Sequence, residues 1–253
     1  MSNQFSEQQK EFLKFIKLLS DNDVLNHIVL CGSWSEYIYA QCSILPDFEI
    51  TLRTLDADFL VKNLRKPTKP VSLIPIVKEQ GYTFDVDVMN GTTKIFSPNG
   101  LEIEFLIGQM GSGDAQTLKT NLGVNAQALR HLDVLSKHTV EADFLGMKII
   151  VPIPEAYAIH KMVINEDRSI SKKEKDANSV VNIFPYLNSE KCVEVYKRLT
   201  KKEQNRVKEF MNKYKDKFDE HTSVETKMKV AAFKSQINKP AEMNKGKLEV
   251  LKK

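Results

Sequence analysis

The amino-acid sequence predicts an α+β chain: a small mixed sheet with flanking helices over residues 1–150, then a helical, basic region over 151–253. Three observations predict it. Short alternating segments crowd the stretch from 51 to 108, punctuated by Asn90-Gly91 and Asn99-Gly100, both hairpin signals. Apolar residues recur at helical spacing near the start and again from 155 onward. Charge divides the chain too: residues 187–253 hold 18 Lys and Arg against 10 Asp and Glu, net +8, and residues 1–186 hold 19 against 23, net −4.

The elements follow in order. Phe12, Phe15, Ile16 and Leu19 sit on one face of a first amphipathic helix over 6–20. The apolar run ending at Gly32-Ser33 predicts a strand over 27–31, a tight turn, and a helix over 34–43. In TLRTLDADFLV (51–61) Leu55, Ala57 and Phe59 share one strand face and Asp56 and Asp58 the other. A Lys-, Arg- and Pro-rich loop (62–70) precedes a short helix that tolerates Pro75 only in its first turn. Strands are expected at 83–89, 93–98 and 100–108, then a Gly-, Ser- and Asn-rich loop over 109–125, then strands at 129–135 and 147–152. Helices are expected at 155–165, 172–184, 189–198, 201–216 and 224–236.

With 42% hydrophobic and 28% charged residues, the composition is that of a globular protein. No stretch reaches 18 uncharged apolar residues, which excludes a membrane helix, and MSNQFSEQQKEF lacks a signal-peptide core. Cys31, Cys42 and Cys192 are too scattered for a disulfide framework or a zinc cluster, so a reducing cytoplasm is the expected location. The basic C-terminal third suits either a polyanion-binding surface or solvated helix faces.

Chemistry concentrates in the strand pair Asp56 and Asp58. Strand periodicity aims both carboxylates to one face, roughly 6–7 Å apart, where they can converge on a hard cation such as Mg²⁺. GLEIEFLIG supplies Glu102 and Glu104, again on one face, of which Glu104 is preferred as a third ligand. Gly32-Ser33, at a strand-to-helix junction, offers backbone amides and a hydroxyl to a phosphate. Without further information the same aspartates could simply line the wet side of an edge strand.

The order Gly32-Ser33, then Asp56-Ala57-Asp58, then Glu104 resembles the signature of the DNA polymerase β-like nucleotidyltransferase superfamily. Within it the chain resembles the minimal nucleotidyltransferases related to AbiEii abortive-infection toxins. Their C-terminal pattern is matched by Pro154, Glu155 and Lys161 on one helix and by Lys172, Lys175 and Asp176 on the next. The resemblance implies the polymerase β-like fold and transfer of a nucleoside monophosphate from an NTP to an acceptor hydroxyl. It implies two Mg²⁺ ions on Asp56, Asp58 and Glu104, and terminal phosphates on Gly32 and Ser33. Lys161 would lie over the triphosphate, Lys172 would be a further phosphate contact, and Lys175 and Asp176 a supporting pair. RNA (tRNA included) or protein is the implied acceptor, with an antitoxin protein as partner and no membrane association. An inactive nucleotide-binding or protein-interaction scaffold of the same fold is the alternative.

Other residues rank lower. Asp85 and Asp87 form a second same-face pair, read as solvent-facing. Arg53 shares the face of neither Asp56 nor Asp58. His131, His138 and His160 lack metal-ligand spacing. GQMGSGD (108–114) lacks the phosphate-loop arrangement and reads as a loop beside the site. Trp34, Tyr37 and Tyr39 suit either core packing or, for one of them, stacking on a base.

Overall fold

A computed structural model describes residues 6–50, 55–109 and 117–239. Arg53 and most of the 108–114 segment therefore lie outside the described residues. Helix α1 (Glu7–Asp21) starts at a capping box, Ser6 and Gln9 each satisfying the other's backbone N–H, and buries Phe12, Phe15, Ile16 and Leu19. Strand β1 (Ile28–Cys31) leads into α2 (Ser33–Gln41), and β2 (Asp56–Val61) returns antiparallel to β1. Pro75 falls in the first turn of α3 (Leu73–Glu79), where its missing N–H costs no helical bond. Strands β3 (Thr83–Val86), β4 (Thr93–Phe96) and β5 (Glu102–Gly108) form an antiparallel meander whose two turns contain Asn90-Gly91 and Asn99-Gly100.

The crossover from β2 to β5 is parallel, so the sheet order is β1-β2-β5-β4-β3. Beyond the end of β4, the last residues of β5 pair in parallel with β7 (Asn125–Leu129), which carries β6 (Thr117–Lys119) antiparallel on its far side. Then come α4 (Asp133–Lys137), a separate hairpin of β8 (Thr139–Phe144) and β9 (Met147–Pro152), and the helices. These are α5 (Pro154–Ile164), α6 (Ile170–Ile183), α7 (Ser189–Lys197), α8 (Lys201–Lys213), α9 (Lys215–His221) and α10 (Val224–Asn238). None of the described helices is long and apolar enough to cross a membrane.

Two expectations are corrected and one strand is added. The segment 129–135 is not a strand: β7 ends at Leu129, a turn with His131 at φ +66° follows, and α4 begins at Asp133. The 109–125 loop contains β6. Strand β8 lies where the sequence predicts no element, because Glu141 and Asp143 occupy its outward positions and leave only Ala142 and Phe144 fully buried.

The two faces of the large sheet differ. Ala57, Phe59, Ile103 and Phe105 face the main core, where the rings of Phe15 and Phe59 lie 5.7 Å apart and those of Phe59 and Phe105 5.9 Å apart. That apolar core runs without a break from Phe12 to Ile237, so it passes through both the sheet and the later helices. On the opposite face β2 and β5 begin with carboxylates, and Val29, Cys31, Leu60 and Leu106 form a small apolar cluster covered by Leu132 and by Leu135 of α4.

Candidate active site

The turn after β1 is built for close approach. Gly32 has φ +69° and ψ −158°, a conformation that strains any residue with a Cβ. A Cβ there would stand 2.7 Å from Oδ2 of Asp58. The Ser35 hydroxyl donates to Leu30 O at 2.9 Å and its N–H donates to Gly32 O at 3.1 Å, tying the turn to the strand it leaves. Ser33 is half-buried at the N-terminus of α2, where the first backbone N–H groups lack intrahelical acceptors. The helix's aromatics point the other way. Trp34 stacks on Phe12 at 3.9 Å, and Tyr37 and Tyr39 are buried, so none of them is placed to stack on a nucleobase.

Strand register assembles the carboxylates. Asp58 is the partner of Cys31 on one side and of Glu104 on the other; Asp56 is the partner of Glu102. Asp58 is half-buried, and its carboxyl is pushed up to about 6, first by burial and then by the charges of Glu104 and Asp56. Arg168 and Lys161 pull it the other way. The register thus places Glu104, not Glu102, beside Asp58. On the outer side of β5, Lys94 Nζ lies 2.5 Å from Oε1 of both Glu102 and Glu104.

The facing cations come from the helices. Lys161 on α5, 8% exposed, donates at 2.7 Å to Oδ1 of Asp176 on α6, itself 2% exposed. Arg168, between the two helices, donates through Nε to Oδ2 of the same carboxylate at 3.2 Å. Lys161 Nζ also sits 5.0 Å above the Tyr157 ring. The hydroxyls of Tyr157 and Ser179 donate to Glu36, which links α5 and α6 to the helix that starts at Ser33. Both oxygens of Asp176 are therefore engaged by Lys161 and Arg168, and the expected Lys175–Asp176 pair is not formed. Lys175 and Lys172 are exposed on α6. Pro154 opens α5, and buried Glu155 accepts from the N–H of Asn188 at 3.0 Å, anchoring the start of α7.

The remaining candidates have structural roles. Asp87 accepts from the N–H groups of Met89 and Asn90 in the β3–β4 turn, and Asp85 is exposed. His131 Nδ1 lies 2.7 Å from Glu203, and Arg206 bridges from His131 to Asp167. His160 is buried and pushed down to about 3, chiefly by burial and then by Lys161. A cleft of about 370 Å³ opens at the far end of β5, with Arg130, His131, Arg198 and Glu203 in its wall and none of the strand carboxylates. Sequence reasoning missed Lys94 and Arg168, whose partners are contributed by other segments of the fold.

The donor set suits a hard cation, since Asp56, Asp58 and Glu104 offer only carboxylate oxygens. Asp58's raised proton affinity comes first from burial and then from the neighbouring charges of Glu104 and Asp56, and a cation would offset the latter. Among the described residues no three His, Cys, Asp or Glu side chains are gathered into a ready cage. The groups fit such an ion in chemistry, and binding it requires side-chain movement.

Comparison with solved structures finds similar chains, among them the following two. An antigenic nucleotidyltransferase-like protein from Paracoccidioides brasiliensis matches with a TM-score of 0.50 at 14% identity, over 82% of this chain and 90% of that one. The lincosamide antibiotic adenylyltransferase LnuA, lincomycin-bound, matches with a TM-score of 0.40 at 15% identity, over 72% and 98%. No curated protein matches. The first neighbour shows the fold: a small mixed sheet with flanking and C-terminal helices, as in a nucleotidyltransferase-like protein. A family model described as Nucleotidyltransferase matches residues 10–205, and this chain, which carries that fold, belongs to the nucleotidyltransferase family.

Proposed function

We propose that the protein transfers a nucleoside monophosphate from an NTP to an acceptor hydroxyl and releases pyrophosphate. The observation that carries this is the row formed by the Gly32 turn, Asp58 and Glu104, with Lys161 and Arg168 as the opposing charges. Asp56, Asp58 and Glu104 would hold two Mg²⁺ ions, which when bound lower the pKa of the attacking hydroxyl and stabilise charge on the α-phosphate.

The protein's own groups bind and orient. The turn at Gly32 brings the Ser33 hydroxyl and the first amides of α2 beside Asp58, where they donate to the terminal phosphates. Lys161 and Arg168 neutralise the triphosphate while Asp176 fixes their positions. Lys172 and Lys175 line the approach. The acceptor oxygen bonds to the α-phosphorus, the bond to the bridging oxygen breaks, and the hydroxyl proton leaves through the carboxylate cluster.

RNA, tRNA included, is the proposed acceptor, supported by the net +8 of residues 187–253 and by Arg130 and Arg198 in the cleft wall. In this proposal residues 1–150 form the nucleotidyltransferase domain, and 151–253 a helical domain that adds Lys161 and Arg168. The resemblance to AbiEii-type enzymes supports a toxin or phage-defence role in the cytoplasm, with a neutralising antitoxin protein. One observation favours the inactive scaffold instead: Glu104 is already engaged by Lys94.

The test is incubation with each of the four α-labelled NTPs, Mg²⁺, and separate pools of cellular RNA and protein. Label on RNA that depends on Asp58 is the expected result. Label on protein alone would move the acceptor to a protein hydroxyl, and nucleotide binding without label in any pool would favour the scaffold.

A further inference from the structure

We propose that Lys94 is the resident counter-ion of Glu104, and that a divalent cation engages the acidic face only by taking that carboxylate from it. This rests on the nucleotidyltransferase reading of the same face. Lys94 on β4, Glu104 on β5 and Asp58 on β2 are consecutive register partners across three neighbouring strands. Neighbouring strands lie about 4.8 Å apart, so Glu104 stands midway between an ammonium and a carboxylate. It is drawn to the ammonium: Oε1 sits 2.5 Å from Nζ, and the same Nζ holds Glu102 Oε1 at 2.5 Å.

One lysine thus ties up an oxygen of each glutamate of β5 from the β4 side. That is a physical reason why the described residues contain no ready cage although four carboxylates share the face. An ordinary cross-strand ion pair would stabilise the sheet a little and leave cation binding alone. Competition for Glu104 has a further consequence. The free protein binds a divalent cation more weakly than its carboxylates would allow, and the phosphates of an incoming nucleotide supply the missing ligands. Cation and nucleotide therefore bind together rather than in sequence.

The experiment measures Mn²⁺ affinity by calorimetry on the full chain, without nucleotide, for the wild type, Lys94→Met, Lys94→Arg and Lys94→Met with Asp58→Ala. Thermal melts confirm that each variant is folded. Lys94→Met is expected to tighten Mn²⁺ binding about three- to tenfold, the loss of one competing charge at contact distance. Lys94→Arg is expected to stay near the wild type, and the added Asp58→Ala to abolish the gain. The tightening is expected to persist at about 0.5 M KCl, where longer-range effects of a surface charge are screened. Unchanged or weaker binding by Lys94→Met overturns the proposal, as does a gain that vanishes at high salt. If neither wild type nor Lys94→Met binds Mn²⁺ even with a non-hydrolysable NTP analogue, the metal-dependent reading of the site falls, and this inference with it.

Discussion

Gly32 and Asp58 are packed so closely that the missing side chain of one makes room for the carboxylate of the other: a Cβ at residue 32 would meet Oδ2 of Asp58 at 2.7 Å. Gly32→Ala imposes two changes. A non-glycine residue at φ +69°, ψ −158°, a region essentially reserved for glycine, costs about 1–3 kcal/mol. The carboxylate, at the end of a rotatable side chain, moves aside. Activity is therefore expected to fall much further than stability, by more than about 100-fold against a loss of about 1–3 kcal/mol. Denaturant melts and initial transfer rates on the same preparation check this; equal fractional losses of folded protein and of activity would mean that the turn only holds the fold.

Lys161 and Arg168 share the carboxylate of Asp176, and the two ends of that arrangement separate in their effects. Lys161→Ala is expected to weaken NTP binding by about 1.5–3 kcal/mol, the range of a charge-assisted hydrogen bond. Asp176→Ala leaves a buried lysine without its partner and is expected to destabilise the protein by about 3–5 kcal/mol. Calorimetry with NTP reads the first and urea unfolding the second.

Lys172 and Lys175 are exposed, so replacing either by alanine is expected to change stability by less than about 0.5 kcal/mol. Each variant is expected to lose NTP affinity, but less than Lys161→Ala does. Wild-type affinity in both variants would remove them from the nucleotide's surroundings.

His160 makes stability depend on pH. Its folded-state pKa is pushed down to about 3, against about 6.5 for an unperturbed imidazole. The unfolded chain binds the proton first, so the stabilisation is complete above about pH 6.5 and declines as pH falls toward 3. At pH 5 the loss is about 2 kcal/mol. Asp58 works in the opposite direction, because a carboxyl raised to about 6 relieves a penalty as it protonates. The imidazole's share is therefore read as a difference: between about pH 7.5 and pH 5, His160→Gln is expected to lose less stability than the wild type. Parallel pH profiles for the two proteins would contradict it.

Residues whose partners are set by local periodicity were legible in the sequence. The alternation of 55–59 put Asp56 and Asp58 on one face, and Gly32-Ser33 marked a strand-to-helix turn that the backbone confirms with a positive φ. Lys161 and Asp176 were both named, and their contact across α5 and α6 is the ion pair observed. Adjacency in sequence suggests Lys175 as the partner of Asp176, yet consecutive helical residues point in different directions, and Lys161 and Arg168 hold the carboxylate. Lys94 and Arg168 carried no local signal. Lys94 meets its glutamates only through the β4–β5 register, and Arg168, just before α6, reaches Asp176 two turns along that helix, beyond the local three- and four-residue pairs. Strand β8 and the break at Leu129 were hidden for a related reason. Acidic residues mask the alternation of the first, and at the second tertiary packing ends a strand that the apolar pattern of the sequence would continue.

The most direct test of nucleotidyl transfer is the stoichiometry of its products. Wild type and Asp58→Ala are incubated with α-labelled NTP, Mg²⁺ and cellular RNA, and pyrophosphate, inorganic phosphate and acceptor-bound label are quantified together. Transfer predicts one pyrophosphate for each label incorporated by the wild type, and neither product from Asp58→Ala. Inorganic phosphate or free nucleoside monophosphate in place of bound label, or equal turnover by Asp58→Ala, would contradict it.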